Sequence, residues 1–379
     1  MSFKIQRSDI QFALKVAIKA TASREQEEAI YRSVRIQTGE YQGKTYAVFC
    51  TNGGFNSVQS SAYLISNFKE GMDILVDCQK LVNIISKATV DEIGFELIDD
   101  ENVVVYANGE NKLRYHKGDT IAEFPVYNEN EKLGEMDVET FINLCKMAVP
   151  FTTEDVHKAP LVGLCIEHNN IYATDEFRSM TLKDVELDFT EKLNFNTIAL
   201  ELIREFSSKD KVEFYLSRLS SSPTNSHVAF VVDNYKLFVL KYLTDFPVGQ
   251  MDAVNAECLV KGVNSVTFPK SSTLQALGRL SIFVDDNDLV SFFPDKKGVV
   301  LEVLNAKTGE AGKEFLECKV EVDESLIDQR ISVSLASFKI VLETLPLEEL
   351  KFSFPSEDIV FLSVNTPAYI SWISTKKTE

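Results

Sequence analysis

Cys78-Gln-Lys-Leu-Val-Asn-Ile-Ile-Ser-Lys87, followed by Ile93-Gly-Phe95, is one copy of a pattern that the chain repeats three times. The second copy is Thr197-Ile-Ala-Leu-Glu-Leu-Ile-Arg-Glu-Phe206 leading to Val212-Glu-Phe214, and the third is Ser334-Leu-Ala-Ser-Phe-Lys-Ile-Val-Leu-Glu-Thr344 leading to Leu350-Lys-Phe352. Counting back from Phe95, Phe214 and Phe352, the residue 14 earlier is Leu81, Leu200 or Phe338, and the residue 11 earlier is Ile84, Ile203 or Val341. Apolar residues three apart share one helix face. A fixed offset to an alternating strand therefore places one helix face against one strand face in every copy.

Other features recur at the same spacing. Phe124-Pro-Val126 and Phe246-Pro-Val248 lie 122 residues apart, each closing a segment that begins Lys-Leu, at Lys112 and Lys236. A further helix is predicted to open each unit, over Ser8–Thr21, Asp137–Val149 and Ser271–Leu280, with Ser8 and Asp137 suited to cap it and Pro269 at the third entry. Neighbouring repeats of a solenoid must share one core, and a period of this length is too long for that, so the repeats read as whole domains, 1–128, 129–250 and 251–379. Between the helices run alternating, β-branched or aromatic stretches such as Thr45–Cys50, Val103–Ala107, Val228–Val232, Leu237–Lys241 and Asp358–Val364. Asn108-Gly109 and Asp285–Asp288 are hairpin-turn signals. The expected class is α+β: three tandem domains, each with two helices packed on antiparallel sheets.

With 379 residues, 45% hydrophobic and 25% charged, the composition is that of a folded soluble protein, and no apolar run approaches a membrane span. Met1–Arg7 runs straight into an amphipathic pattern and lacks the features of a signal peptide, so a cytoplasmic location is expected. Cys50, Cys78, Cys145, Cys165, Cys258 and Cys318 stand singly, and the four histidines lack ligand spacing. Reduced core thiols, no metal and no cofactor are expected. The net charge of −18 disfavours a nucleic-acid binder when taken as a sum, but leaves room for one confined basic surface. No phosphate loop, nucleophile elbow or zinc motif occurs, and Asp99-Asp100 and Asp285-Asp286 suit turns between strands. The remaining enzymatic alternative is a metal-dependent nuclease that would use Asp99 or Asp175.

Ile171-Tyr-Ala-Thr-Asp-Glu-Phe-Arg178 resembles the Ala-Thr-Asp-Gly-His-Arg stretch in the middle domain of bacterial DNA polymerase III β-subunits, the sliding clamps. It matches at Ala173, Thr174, Asp175 and Arg178, while Glu176 and Phe177 replace the Gly and His. The path from Val76-Asp-Cys-Gln-Lys-Leu81 through Phe124-Pro125 is similar to the second half of that family's first domain, and Phe246-Pro247 takes the place of its second Phe-Pro. The resemblance runs end to end and is that of a divergent, perhaps phage-encoded, member. It implies a non-catalytic ring, a dimer of three-domain chains, that encircles duplex DNA and tethers the replicative polymerase and clamp loader.

Such a ring needs cations that hold phosphates without reading bases. On the first helix Ile10, Leu14 and Ala17 form an apolar stripe, while Gln11, Lys15 and Lys19 recur on another face. Lys80, Lys87, Lys146, Arg204, Arg279 and Lys339 add cations to the remaining helices, and Arg24 and Lys158 sit in loops that the resemblance places near DNA. The alternative is that these are ordinary solvated helix faces, and Glu139, Glu201 and Glu343 dilute the pattern. By resemblance, partner peptides insert apolar side chains into a groove formed by Leu161, Thr174, Glu176, Arg178, Pro247, Met251, Ile370 and Trp372; Trp372 could equally be a core residue of the last strand. Head-to-tail closure places Leu113 and Tyr115 of one chain against Ile282 and Phe283 of the next, unless these belong to internal cores. The rival reading is a clamp-like scaffold that no longer surrounds DNA.

Overall fold

The computed structural model describes residues 1–21, 28–54, 56–187, 189, 191–206, 210–224, 226–242, 245–261, 263–285, 288–355 and 359–376. Its helices are α1 Arg7–Ala17, α2 Ala29–Arg32, α3 Cys78–Ser86, α4 Asp119–Ala122, α5 Val138–Ala148, α6 Ile198–Ile203, α7 Val248–Lys261, α8 Lys270–Leu280 and α9 Leu335–Thr344. The chain divides into two compact units, Met1–Ile142 with Phe195–Leu243, and Asn143–Asn194 with Thr244–Glu379.

The predicted helix-to-strand register is present in each copy. Leu81, Leu200 and Phe338 are buried, as are Ile203 and Val341, and so are Phe95, Phe214 and Phe352; Ile84 is half-buried against the first core. Local chemistry starts two of these helices. The Asp77 carboxylate accepts a hydrogen bond from the Lys80 amide at 2.8 Å at the head of α3, and the Ser334 hydroxyl accepts one from the Ser337 amide at 3.3 Å at the head of α9. Lys270 Nζ donates to the carbonyls of Glu343 and Leu345, at 3.1 and 2.9 Å, and so places a cation on the open end of α9.

In the first unit one 13-stranded sheet runs in the order Tyr127–Asp137, Lys211–Leu219, His227–Val232, Tyr235–Leu240, Asn56–Gln59, Lys44–Asn52, Ser33–Tyr41, Asp73–Asp77, Glu110–His116, Asn102–Tyr106, Glu92–Leu97, Ser2–Gln6 and Tyr63–Ser66. The antiparallel pairing of Leu237 with Val58 makes it continuous, joining strands from distant parts of the chain. In the second unit Arg178–Leu182 pairs with Tyr369–Ser374 in the same way, Ser179 opposite Trp372 and Thr181 opposite Ile370. A separate four-stranded sheet there has the order Ala311–Glu317, Gly298–Leu304, Leu289–Asp295 and Ile331–Ser334.

His227 is buried in the first unit with its ring edge-on to Tyr127 at 4.8 Å, and burial pushes its pKa down to about 4. The folded state keeps this imidazole neutral while the unfolded chain protonates it near 6.5. Its contribution to stability is intact above about pH 6.5 and is lost as the pH falls from there towards 4, by on the order of 1 kcal/mol per pH unit. Denaturant melts of the wild type and His227→Asn between pH 7 and 4.5 should show this slope only in the wild type.

Several expectations need correction. α6 ends at Ile203, short of Phe206, because its last turn closes through the Phe206 amide and the Ile203 carbonyl. The last predicted strand begins at Phe361; Asp358 lies outside the described residues. Asn108, with a φ of 61°, does turn the hairpin between Asn102–Tyr106 and Glu110–His116. Asp285–Asp288 instead links α8 to the strand Leu289–Asp295, and its residues 286 and 287 lie outside the described ones. After Phe124-Pro-Val126 the chain continues as strand, whereas after Phe246-Pro247 it forms α7, a helix the sequence reading did not place. The signal for α7 was there, since Met251, Asn255 and Cys258 follow the helical i, i+4, i+7 spacing and are all buried.

Candidate functional site

Each cation-bearing helix buries its apolar stripe, so its charged side chains are confined to the other face. α1 buries Ile10, Ala13, Leu14, Val16 and Ala17, leaving Lys15 exposed, with Lys19 on the following turn Ile18–Ala20. α3 buries Cys78, Leu81 and Ile85, leaving Lys80 and Lys87 exposed. Lys146 on α5, Arg204 at the end of α6 and Arg279 on α8 are exposed, and Lys339 on α9 is half-buried. Arg24 lies outside the described residues.

These cations fall into two groups. Lys15 and Lys19 both form ion pairs with Glu205, one ammonium to each carboxylate oxygen. Arg279 makes a two-pronged contact with Glu314, at 2.8 and 2.7 Å, and Lys158 is ion-paired with Glu176. Among the described residues Lys80, Lys87, Lys146 and Arg204 make no ion pair, so their charges face solvent uncompensated. The sequence could not show this division, because Lys19 and Glu205 are 186 positions apart.

The eight groove residues all belong to the second unit. Leu161 and Met251 pack in a cluster with Cys165, Tyr172, Phe246 and Val248, and Pro247 lies half-buried beside them in sequence. Ile370 and Trp372 pack in another with Cys258, Phe361 and Val254, the last from α7. Between the strands Asn170–Thr174 and Arg178–Leu182 the turn is tightly bonded. The Thr174 hydroxyl donates to the Arg178 carbonyl at 2.8 Å and accepts from the Glu176 amide at 3.0 Å, while Asp175 accepts from the Phe177 and Arg178 amides and pairs with the Arg178 guanidinium at 3.1 Å. Glu176 has a φ of +80°, the left-handed conformation that favours glycine. The turn therefore keeps the backbone of a Gly-bearing version at the cost of strain in a longer side chain. Phe177, missed as a site residue, is exposed, with the ammonium groups of Lys158 and Lys376 at 5.6 and 4.6 Å from its ring centre.

Trp372 is 9% exposed, and its indole N–H has no hydrogen-bond partner among the described residues. An unsatisfied buried donor costs stability unless something accepts its hydrogen bond. Asp99, the nuclease candidate, accepts from the Glu101 amide and the Asn102 side chain at 2.9 and 2.7 Å, which is the chemistry of a strand-to-strand turn. Asp175 is engaged in the turn already described. Leu113 is half-buried and Tyr115, 7% exposed, is a member of the first core, its hydroxyl donating to the Asp99 carbonyl at 3.1 Å. Ile282, by contrast, is 79% exposed and Phe283 is exposed beside it.

No protein-family model and no curated protein matches the sequence. Solved structures do match in shape. A DNA polymerase sliding clamp from Caulobacter crescentus aligns over 100% of both chains with a TM-score of 0.85 at 14% identity. The DNA polymerase III beta subunit of Thermotoga maritima gives 0.82 at 12% identity, and the beta subunit from DNA polymerase of Streptococcus pyogenes 0.80 at 17%, again over 100% of both chains. The chain has the fold of the bacterial sliding clamps from end to end.

Proposed function

We propose that this chain is a non-catalytic DNA sliding clamp: three tandem domains, 1–128, 129–250 and 251–379, two copies of which close into a ring around duplex DNA and tether a replicative polymerase and clamp loader. The observation that carries this reading is the end-to-end likeness to sliding clamps, at a TM-score of 0.85 over 100% of both chains. The uncompensated cations Lys80, Lys87, Lys146 and Arg204 support it, because phosphate contacts of this kind give grip without sequence preference. No described helix is long and apolar enough to cross a membrane. A cytoplasmic location and the absence of a cofactor belong to the same reading. Negative-stain images should show closed two-chain rings, and light scattering should give twice 42.7 kDa; single-chain particles without rings would remove it.

Closure would use the exposed Ile282 and Phe283 of one copy against Leu113 and the strand carrying Tyr115 of the next, with the open edge of Ala311–Glu317 available for strand addition. Phe283 can lie flat on that edge because Gly312 has no side chain: a Cβ there would sit 2.7 Å from the Phe283 ring. Ile282→Asp places an unpaired charge in the contact and is expected to raise the dimer dissociation constant at least tenfold, measured by sedimentation. An unchanged constant would remove Ile282 from the interface.

The groove around Leu161, Met251, Ile370 and Trp372 would take an apolar peptide whose carbonyl or amide oxygen accepts from the Trp372 indole N–H. Trp372→Ala should raise the Kd of a clamp-binding peptide roughly 30-fold, the effect of losing one aromatic anchor, and leave the oligomer intact. Unchanged peptide binding would reject the groove assignment. The second reading, a scaffold that does not surround DNA, draws on the carboxylates that already neutralise Lys15, Lys19 and Arg279.

A further inference from the structure

Glu205 stands just beyond α6, fixed from below by its neighbour Phe206, which is buried in a ring cluster with Phe12 of α1 at 5.7 Å and Tyr235 at 5.1 Å. Phe12 meets Tyr235 at 5.4 Å, so the three rings close a triangle beneath the carboxylate. The Glu205 side chain is only 13% exposed and directs one oxygen to Lys15 and the other to Lys19. Burial raises its carboxyl pKa, but the two ammonium groups together outweigh burial and hold it below the ordinary glutamate range. This is a fixed anion facing two mobile cations on the face of α1 that the sequence assigned to phosphates. Its two oxygens meet the two ammonium groups as two non-bridging phosphate oxygens would.

We propose that Glu205 is a built-in stand-in for a DNA phosphate, which keeps Lys15 and Lys19 occupied and so sets how weakly the lining holds the duplex. The inference rests on the reading that these helices face DNA. A ring held by topology needs no strong grip, and every phosphate it binds tightly must be released before it can move along the duplex. Occupying two cations per chain with an internal carboxylate lowers that hold without removing the charges. Lys80, Lys87, Lys146 and Arg204 then make the working contacts. The carboxylate and a passing phosphate compete for the same two ammonium groups.

The test is binding to a short linear duplex, where topology plays no part, measured by fluorescence anisotropy between 50 and 200 mM salt. Releasing Lys15 and Lys19 to two phosphates steepens the log–log salt slope by about 1.8 per chain, so Glu205→Gln should lose about 12-fold more affinity across this range than the wild type while binding more tightly at its low end. Adding Lys15→Ala and Lys19→Ala to Glu205→Gln should restore the wild-type slope. The same two lysine changes in the otherwise wild-type chain should leave the slope unaltered, an arm that holds even if Glu205→Gln folds poorly. A wild-type slope in folded Glu205→Gln, or a flatter slope in the lysine variant alone, would overturn the proposal. Joint replacement of Lys80, Lys87, Lys146 and Arg204 separates the two failures. If that flattens the slope while Glu205→Gln does not change it, only the role of Glu205 falls; if neither changes it, the lining reading falls too.

Discussion

Replacing Lys80, Lys87, Lys146 and Arg204 together by alanine is expected to flatten the salt dependence of binding to a short linear duplex by as much as about 3.6 log units per log unit of salt for each chain. These four side chains are exposed, lie on the helices α3, α5 and the end of α6, and form no internal ion pair among the described residues. Each is free to displace a counterion from a phosphate, at about 0.9 in the slope per contact. Between 50 and 200 mM salt that amounts to roughly a 150-fold difference in how far affinity falls. Contacts made through water reduce the figure without changing its sign. Arg279→Ala is the matched control, because its guanidinium is already held in two-pronged fashion by Glu314, and it should move the slope little. A quadruple variant with the wild-type slope would contradict the assignment.

Phe268→Ala is expected to cost about 3–5 kcal/mol, the range for emptying a fully buried aromatic site. Phe268 is 0% exposed and meets Phe292, Phe338 and Phe352 with ring centres at 5.6, 5.2 and 5.7 Å. It therefore links the strand Asn264–Pro269 to α9, to Glu349–Phe354 and to the separate four-stranded sheet. Rigid strands and a helix surround the ring, so the cavity cannot collapse and the lost contacts are not regained. Phe293, one residue along from Phe292 on the opposite face and half-exposed, is the comparison: Phe293→Ala should cost under about 1 kcal/mol. Denaturant melts of the two variants read the difference. A cost below 1 kcal/mol at Phe268 would mean that these rings are not the hub of the second unit.

What the sequence revealed and what it hid follow from the range of the interactions. The spacing from Leu81 to Phe95, and its two counterparts, was legible because a helix face and the next strand meet within one short segment. The partners of Lys19 and Arg279 were not, since ion pairing between residues 186 and 35 positions apart leaves no periodic trace. Glu176 was read as a departure from a glycine, yet its φ of +80° shows that the turn keeps its shape and only the side chain is new. Tyr115 looked like a surface contact from its alternation, but its strand is covered on that side by the first core. Alternation reveals that a strand has two faces, not what covers each of them. α7 was hidden by analogy: the shared Phe-Pro-Val suggested that both junctions continue alike, whereas one leads to a strand and the other to a helix.

Retention on DNA of different topology bears most directly on the central claim. Labelled protein loaded on a nicked circle should stay bound through a high-salt wash and leave within seconds once one cut linearises the circle, because only a free end lets an encircling ring depart. Equal loss from circle and linear DNA, or equal persistence on both, would contradict encirclement.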